Sequence, residues 1–291
     1  MITLLSRLIA ILPLKTTHTL GACLGWIIHQ MTPATAKLRR DNLRQSGLCT
    51  SEAELAHTLK QNISETGKSL LESLAIWQWP QARALSYIQG CTGWPLVEQA
   101  LQTGKGLIFI TPHLGCFEIT SIYYAARHPI TVLYRPPKKT WLSPLMQSGR
   151  QKGMVDLAPA SAAGVRKLLQ ALKRGEAVGI LPDQIPKRGE GEWAPFFGKP
   201  AYTMGLASKL AVKSGATVIM AFGERLPGGS GYHIHLHQVA DISTPERLNA
   251  AIEQQIAQCP SQYLWQYDRY KQRRYALRKL QKDSTETESP D

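Results

Sequence analysis

The sequence contains no C-x-x-C pair. Its five cysteines, Cys23, Cys49, Cys91, Cys116 and Cys259, are odd in number and widely spaced. That pattern argues against a disulfide framework or a zinc site and for a reducing compartment. Acid is missing over a long window: none occurs between Glu118 and Asp156, a stretch that holds Arg127, Arg135, Lys138, Lys139, Arg150 and Lys152. A second basic cluster, Arg269, Lys271, Arg273, Arg274, Arg278 and Lys279, lies near the C-terminus. The chain carries 34 Lys+Arg against 21 Asp+Glu, a net charge of +13, which favours an acidic partner such as anionic lipid, nucleic acid or an acidic carrier protein. Basic and aromatic residues do not interleave along any strand-like segment, so the single-strand nucleic-acid mode is not expected. No G-x-S-x-G elbow is present, which removes support for a serine hydrolase.

Long apolar runs are also lacking. Residues 2–14 and 20–31 are each apolar, but Lys15, His18 and several threonines divide them, and neither reaches the roughly 20 residues that span a bilayer cleanly. Residues 1–31 are expected to anchor the protein at a membrane, lying in the interface or crossing obliquely with Lys15 snorkelling. Two other readings stand beside that one. Leu20-Gly21-Ala22-Cys23 loosely resembles a lipoprotein cleavage site, and the two runs also fit a buried helical hairpin.

Hydrophobic residues make up 43% of the chain, enough for a sizeable core. Residues 35–90 carry Leu55, Leu59, Ile63, Leu70, Leu71 and Leu74 at helical spacing, with Ser51-x-x-Glu54 as a capping box and Pro80 as a stop. From residue 105 onward, short apolar runs at 107–111, 130–134, 178–181 and 217–222 alternate with candidate helices near 116–127, 139–152, 161–174 and 203–214. The alternation predicts an α/β fold with a mostly parallel central sheet flanked by helices. Residues 232–239 read as an antiparallel return strand and 245–280 as helix. The expected organisation is an anchor at 1–31, a catalytic domain at 32–280 and a frayed tail at 281–291.

Three apolar strands end alike: Ile110-Thr111-Pro112-His113, Tyr134-Arg135-Pro136-Pro137 and Leu181-Pro182-Asp183-Gln184. Open α/β sheets bind ligands at the carboxyl ends of their strands, so His113, Arg135 and Asp183 are predicted to share one crevice. Five residues of α-helix turn through about 500°, so His113 and Glu118 do not meet inside one regular helix. They meet if His113 sits in a strand-to-helix loop and Glu118 in the first helical turn, where the helix dipole favours a carboxylate. Glu118 then holds one imidazole nitrogen while the other accepts a proton from a substrate hydroxyl. Arg135 is a candidate for binding phosphate or an oxyanion, and Asp183 for orienting Arg135 or a substrate group. The plainer readings are a helix-capping His113, a surface Arg135 and a turn Asp183. His233, His235 and His237 share one strand face, but no Cys or acid of suitable spacing accompanies them as metal ligands. Cys116 is read as a small residue packed in a tight turn.

The block Gly104-Lys105-Gly106-Leu107-Ile108-Phe109-Ile110-Thr111-Pro112-His113-Leu114-Gly115-Cys116-Phe117-Glu118 resembles the catalytic block of the lipid A biosynthesis acyltransferases. Tyr134-Arg135-Pro136-Pro137, the stretch from Leu181-Pro182-Asp183-Gln184 through Arg188-Gly189-Glu190-Gly191 to Pro195-Phe196-Phe197-Gly198, and Tyr263-Leu264-Trp265 with Arg269 and Lys271 resemble its later blocks in order. The chain departs from the family in carrying Cys116-Phe117 where members commonly have Asn-Trp. The resemblance implies a glycerolipid-acyltransferase-like fold and an acyl-carrier-protein thioester as donor, with no cofactor or metal. It implies a hydroxyl of a lipid A precursor as acceptor, contact with membrane lipids, and a site on the cytoplasmic face of the inner membrane. His113 and Glu118 are then catalytic, Arg135 and Asp183 bind substrate or an oxyanion, and Arg188, Arg269 and Lys271 are candidate phosphate or carrier contacts. The acid-free window suits steering of an acidic carrier. The alternatives are the same chemistry on a lysophospholipid or another glycolipid, a basic membrane- or nucleic-acid-binding protein without catalysis, and a His–Glu hydrolase.

Overall fold

The computed structural model describes residues 2–137 and 139–271. The N-terminal third is helical: α1 (Ile2–Ile11), α2 (Leu14–Met31), α3 (Pro33–Gln45), α4 (Glu52–Gln78) and α5 (Gln81–Ser86). Strands and helices then alternate through β1 (Ile88–Thr92), α6 (Trp94–Gln102), β2 (Leu107–Ile110), α7 (Phe117–Tyr124), β3 (Ile130–Tyr134) and α8 (Ser143–Arg150). β4 (Val155–Pro159), α9 (Ala162–Lys173), β5 (Ala177–Ile180), β6 (Gly191–Phe196), β7 (Lys199–Met204) and α10 (Leu206–Ser214) follow. β8 (Thr217–Arg225), β9 (Tyr232–Val239) and α11 (Pro245–Gln258) complete the α-helices and strands among the described residues.

Seven strands form one sheet in the order β1-β9-β8-β2-β5-β3-β4. Every neighbouring pair is parallel except β8–β9, so the fold is α/β with a mostly parallel sheet. β6 and β7 form a separate antiparallel hairpin. Successive side chains of a strand point to opposite faces, and β2 shows it. Leu107 and Phe109 join one core, shared with α4, α6, α7 and α8, while Ile108 and Ile110 join the other, shared with α9, α10 and α11. Both faces being covered explains why β2 and β5 are buried throughout and read as continuous apolar runs.

Local sequence sets several boundaries. The Ser51 hydroxyl accepts from the Glu54 N–H at 3.1 Å, which caps α4. Glu54 itself turns to Thr50, accepting from its N–H and its hydroxyl, one residue outside the predicted capping box. The expected helix over 245–280 stops at Gln258, because Pro260 has no N–H to continue the ladder. The rest of that prediction beyond residue 271, the tail at 281–291, the basic residues Arg273, Arg274, Arg278 and Lys279, and Lys138 lie outside the described residues.

The spanning form of the predicted anchor is not supported: among the described residues, no helix is long and apolar enough to cross a membrane. Instead α2 lies against α4 at backbone contact. A Cβ added at Gly67 would fall 1.9 Å from the Gly21 carbonyl oxygen, and one at Gly25 would fall 2.2 Å from that of Ile63. Glycine at these three positions is what admits so close an approach. The outward side of α1 and α2 leaves Leu4, Leu5, Leu8, Ile11, Leu20, Ile27 and Met31 exposed.

Candidate active site

β2 and β5 are parallel neighbours in register, Ile110 opposite Ile180. His113 and Asp183 each lie three residues past that pair, so the register alone brings them face to face. His113 Nδ1 stands 2.8 Å from Asp183 Oδ1, and the His113 main-chain N–H donates to Asp183 Oδ2 at 2.9 Å. One carboxylate therefore grips both the ring and the backbone of the same residue. With Nδ1 donating to Asp183, Nε2 keeps its lone pair and faces the Gln184 amide nitrogen at 3.2 Å. Asp183 is 2% exposed. Burial pushes its carboxyl up, but the His113 charge and the hydrogen bonds from His113 outweigh it and hold the carboxyl below its ordinary value.

Glu118 occupies the first turn of α7, as the spacing requires, but it does not hold the imidazole. Both its oxygens accept from Arg150 of α8: Nε lies 3.1 and 2.9 Å from Oε1 and Oε2, and Nη2 lies 2.5 Å from Oε1. The expected His113–Glu118 contact is thus replaced by His113–Asp183 and Glu118–Arg150. The reason is geometric. Asp183 projects from the strand next to β2, whereas α7 carries Glu118 toward α8. Burial pulls the Arg150 guanidinium down, and the facing Glu118 charge more than restores it, leaving it above its ordinary value.

The turn between His113 and Glu118 is pinned on three sides. Gly115 adopts a positive φ of 60°, and its N–H donates to the Gln262 carbonyl at 3.1 Å. The Cys116 N–H donates to Gly223 at 2.7 Å, and the Leu264 N–H donates to the His113 carbonyl at 3.2 Å. Tyr263, within the C-terminal block, is buried, and burial together with the Asp183 charge pushes its phenol well above the ordinary value. The Cys116 thiol is 2% exposed and is likewise pushed well up by burial and by Glu72, a poor state for a nucleophile.

His113, Glu118, Arg150, Gln184 and the exposed Arg135 are among the polar residues that line a cavity of about 240 Å³. Beyond them it runs between the sheet and α6–α8 over Phe109, Val132, Leu157, Ala221, Ile234 and Leu236. Small residues of the sheet, Gly179 and Ala221, leave that space open. Among the predicted site residues, His113, Glu118 and Arg135 line this cavity, and Asp183 backs it through His113. Three others lie apart from it. Arg188 is exposed in the loop before β6. Arg269 is buried, donating to the Tyr202 carbonyl at 2.6 Å and the Thr203 hydroxyl at 2.8 Å, so it fastens the C-terminal segment to β7. Lys271 is exposed at the end of the described chain. The three histidines of β9 take separate neighbours: His233 pairs with Thr92, His235 with Glu224 and His237 with Gln258. Arg150 and Gln184 went unnamed as site residues from sequence. Gln184 directly follows Asp183, whereas Arg150 had only its place in the acid-free window as a signal.

Comparison with known proteins bears on this geometry. A family model described as bacterial lipid A biosynthesis acyltransferase matches residues 1–272. The chain is 26% identical over 269 residues to a lipid A biosynthesis palmitoleoyltransferase of Escherichia coli, covering 90% of this chain and 87% of the relative. It is 25% identical over 277 residues to a lipid A biosynthesis lauroyltransferase of the same organism, covering 91% and 89%. A lipid A biosynthesis acyltransferase of Haemophilus influenzae is 24% identical over 282 residues, covering 92% and 88%. The family model spans nearly the whole chain and the relatives align over about nine-tenths of it, so the chain belongs to the bacterial lipid A biosynthesis acyltransferase family.

Proposed function

We propose that this acyltransferase moves a fatty acyl chain from an acyl-carrier-protein thioester onto a hydroxyl of a lipid A precursor, with His113 as general base. The observation that carries the reading is the cavity itself, whose wall sets the imidazole of His113, its Nε2 paired only with the Gln184 amide, against an apolar chamber. The acceptor hydroxyl displaces Gln184 from Nε2 and attacks the thioester carbonyl as its proton passes to Nε2. An oxygen–carbon bond forms, the carbon–sulfur bond breaks, and the departing thiolate takes the proton back from His113. Asp183 fixes the tautomer and stabilises the imidazolium, as the carboxylate of a catalytic triad does. Glu118 acts through Arg150, holding that guanidinium at the cavity wall, and Arg135 meets phosphate or the developing oxyanion at the mouth.

The acyl chain lies along Phe109, Val132, Ala221 and Leu236, where each buried methylene contributes about 0.8 kcal/mol. The acid-free window gives an acidic carrier protein a favourable approach. The exposed apolar residues of α1 and α2, with Arg7 and Lys15 among them, suit an interfacial seat on the cytoplasmic face of the inner membrane.

The test is a detergent assay with labelled acyl-carrier-protein donors, offering a tetra-acylated lipid A precursor or a lysophospholipid as acceptor, with His113→Ala as the blank. Transfer to the lipid A precursor that vanishes in the blank is expected. Transfer to the lysophospholipid alone overturns the acceptor, and equal transfer by His113→Ala overturns the base.

A further inference from the structure

A buried chain of ionised groups lies beneath the His113 turn and takes no part in the proton transfer. Arg225, the last residue of β8, is 4% exposed, and its Nε donates to Glu72 Oε1 in α4 at 2.7 Å. The other Glu72 oxygen accepts from His18 Nε2 of α2 at 2.9 Å and from the Tyr232 hydroxyl of β9 at 3.0 Å. Arg225 Nη1 reaches Glu65 at 3.3 Å. Its remaining arm, Nη2, donates to the Gly115 carbonyl at 2.6 Å. Gln262 clasps the Arg225 backbone from the other side, accepting its N–H at 2.9 Å and donating to its carbonyl at 3.0 Å.

Stability is a poor reason for burying such a group, since apolar residues of similar volume often stabilise a core as well as a buried ion pair does. What an apolar residue cannot do is donate to the Gly115 carbonyl. That carbonyl belongs to the peptide between the imidazole and the Glu118 carboxylate, in a turn whose φ is positive and whose Cα lies against Gly223. The planar guanidinium spans Glu72 and Gly115 at once, a fork that a lysine ammonium does not reproduce.

We propose that Arg225 is a positioning residue for acyl transfer. It fixes the Gly115 peptide so that His113 Nε2 and the Glu118–Arg150 pair face one cavity, with Glu72 as its anchor and His18 tying that anchor to α2. This rests on the acyl-transfer reading above.

The test compares three variants with wild type in the detergent assay, alongside thermal unfolding. In Arg225→Met combined with Glu72→Gln, both charges of the Arg225–Glu72 pair are gone, and the hold on Gly115 is lost together with the Nη1 contacts to Glu65 and Gln262. Its kcat is expected to fall on the order of 10²-fold, the effect of a small misplacement at a reacting centre, while KM for both substrates holds. Arg225→Lys, which keeps a charge opposite Glu72, is expected to lose kcat in the same way. Tyr232→Phe removes one Glu72 contact without touching Gly115, and is expected to lower the midpoint but keep kcat. Wild-type kcat in the folded double variant overturns the proposal, as does a kcat loss in Tyr232→Phe equal to that of the Arg225 variants. If the double variant does not fold, the Arg225→Lys kcat decides, and failure of both to fold makes Arg225 a structural residue only and overturns the positioning role. Wild type that transfers no acyl group defeats the acyl-transfer reading instead, so the two failures are told apart.

Discussion

Replacing Asp183 by asparagine changes one atom's chemistry and leaves the shape intact. The two carboxylate oxygens accept two donors from His113, the ring N–H at 2.8 Å and the main-chain N–H at 2.9 Å. An asparagine offers one acceptor and one amino group. If its oxygen stays on the main-chain N–H, the amino group faces Nδ1 and forces the proton onto Nε2, which then has no lone pair for a substrate proton. If the amide turns over, two donors confront each other at a site 2% exposed, and a buried unsatisfied donor costs about 1–3 kcal/mol. The first arrangement is therefore the stable one, and it removes the base. The expected loss in kcat is on the order of 10⁴-fold, as for the equivalent change in a serine protease triad. Initial rates measured against pH, with circular dichroism to confirm the fold, check this. Turnover within about ten-fold of wild type would refute the assignment of Asp183 as the orienting carboxylate, since loss of general-base assistance alone is about 10²–10⁴-fold. A second readout follows from the same group. Its carboxyl is held below the ordinary value in the folded state. The stability it contributes is therefore present above its unfolded pKa, about 3.9, and is lost as pH falls through the lower folded value. Asp183→Asn should flatten that part of the acid unfolding curve, measured as thermal midpoint between pH 5 and pH 2.

His113→Ala should abolish turnover with the fold intact, and Glu118→Ala, which releases Arg150 from the cavity wall, should lose on the order of 10²–10³-fold in the same rate assay, with wild-type rates in both removing the proposed site. Ala221→Leu adds bulk to the apolar chamber and should shift donor preference toward shorter chains; each methylene excluded costs about 0.8 kcal/mol, roughly four-fold in kcat/KM. An unchanged ranking across donors of different length would show that the chain lies elsewhere. Gly67→Ala places a methyl group 1.9 Å from the Gly21 carbonyl oxygen and should destabilise the protein by about 1–3 kcal/mol through overpacking. Urea titration reads it, and an unchanged midpoint would mean that α2 does not press on α4 as described.

Much of the sheet was legible because its strands are apolar on both faces. β2, β3, β8 and β9 are found where the runs at 107–111, 130–134, 217–222 and 232–239 place them, and β9 returns antiparallel to β8. β1 and β4 were not legible, since Ile88-Gln89-Gly90-Cys91-Thr92 and Val155-Asp156-Leu157-Ala158-Pro159 form the two edges of the sheet and mix polar with apolar residues. The β6–β7 hairpin was hidden by its turn. Phe197 and Gly198 both take positive φ, 45° and 73°, and a bulky residue is uncommon there. At the site, the common ending of three strands marked His113, Asp183 and Arg135. The pairing itself was not legible, because it depends on strand order and register. β5 lies beside β2, so the acid 70 residues away in sequence wins the imidazole over the acid five residues on. Arg150 was silent for a related reason: nothing in Ser143–Arg150 shows that its last residue faces α7.

The double grip of Asp183 on His113 also bears on when the work of alignment is done. A ring whose backbone and side chain share one buried anchor cannot swing independently of the main chain, so its orientation is settled as the protein folds. The rotational entropy of the base is spent before any substrate arrives, and a binding event need only bring the two reactants to a frame already rigid.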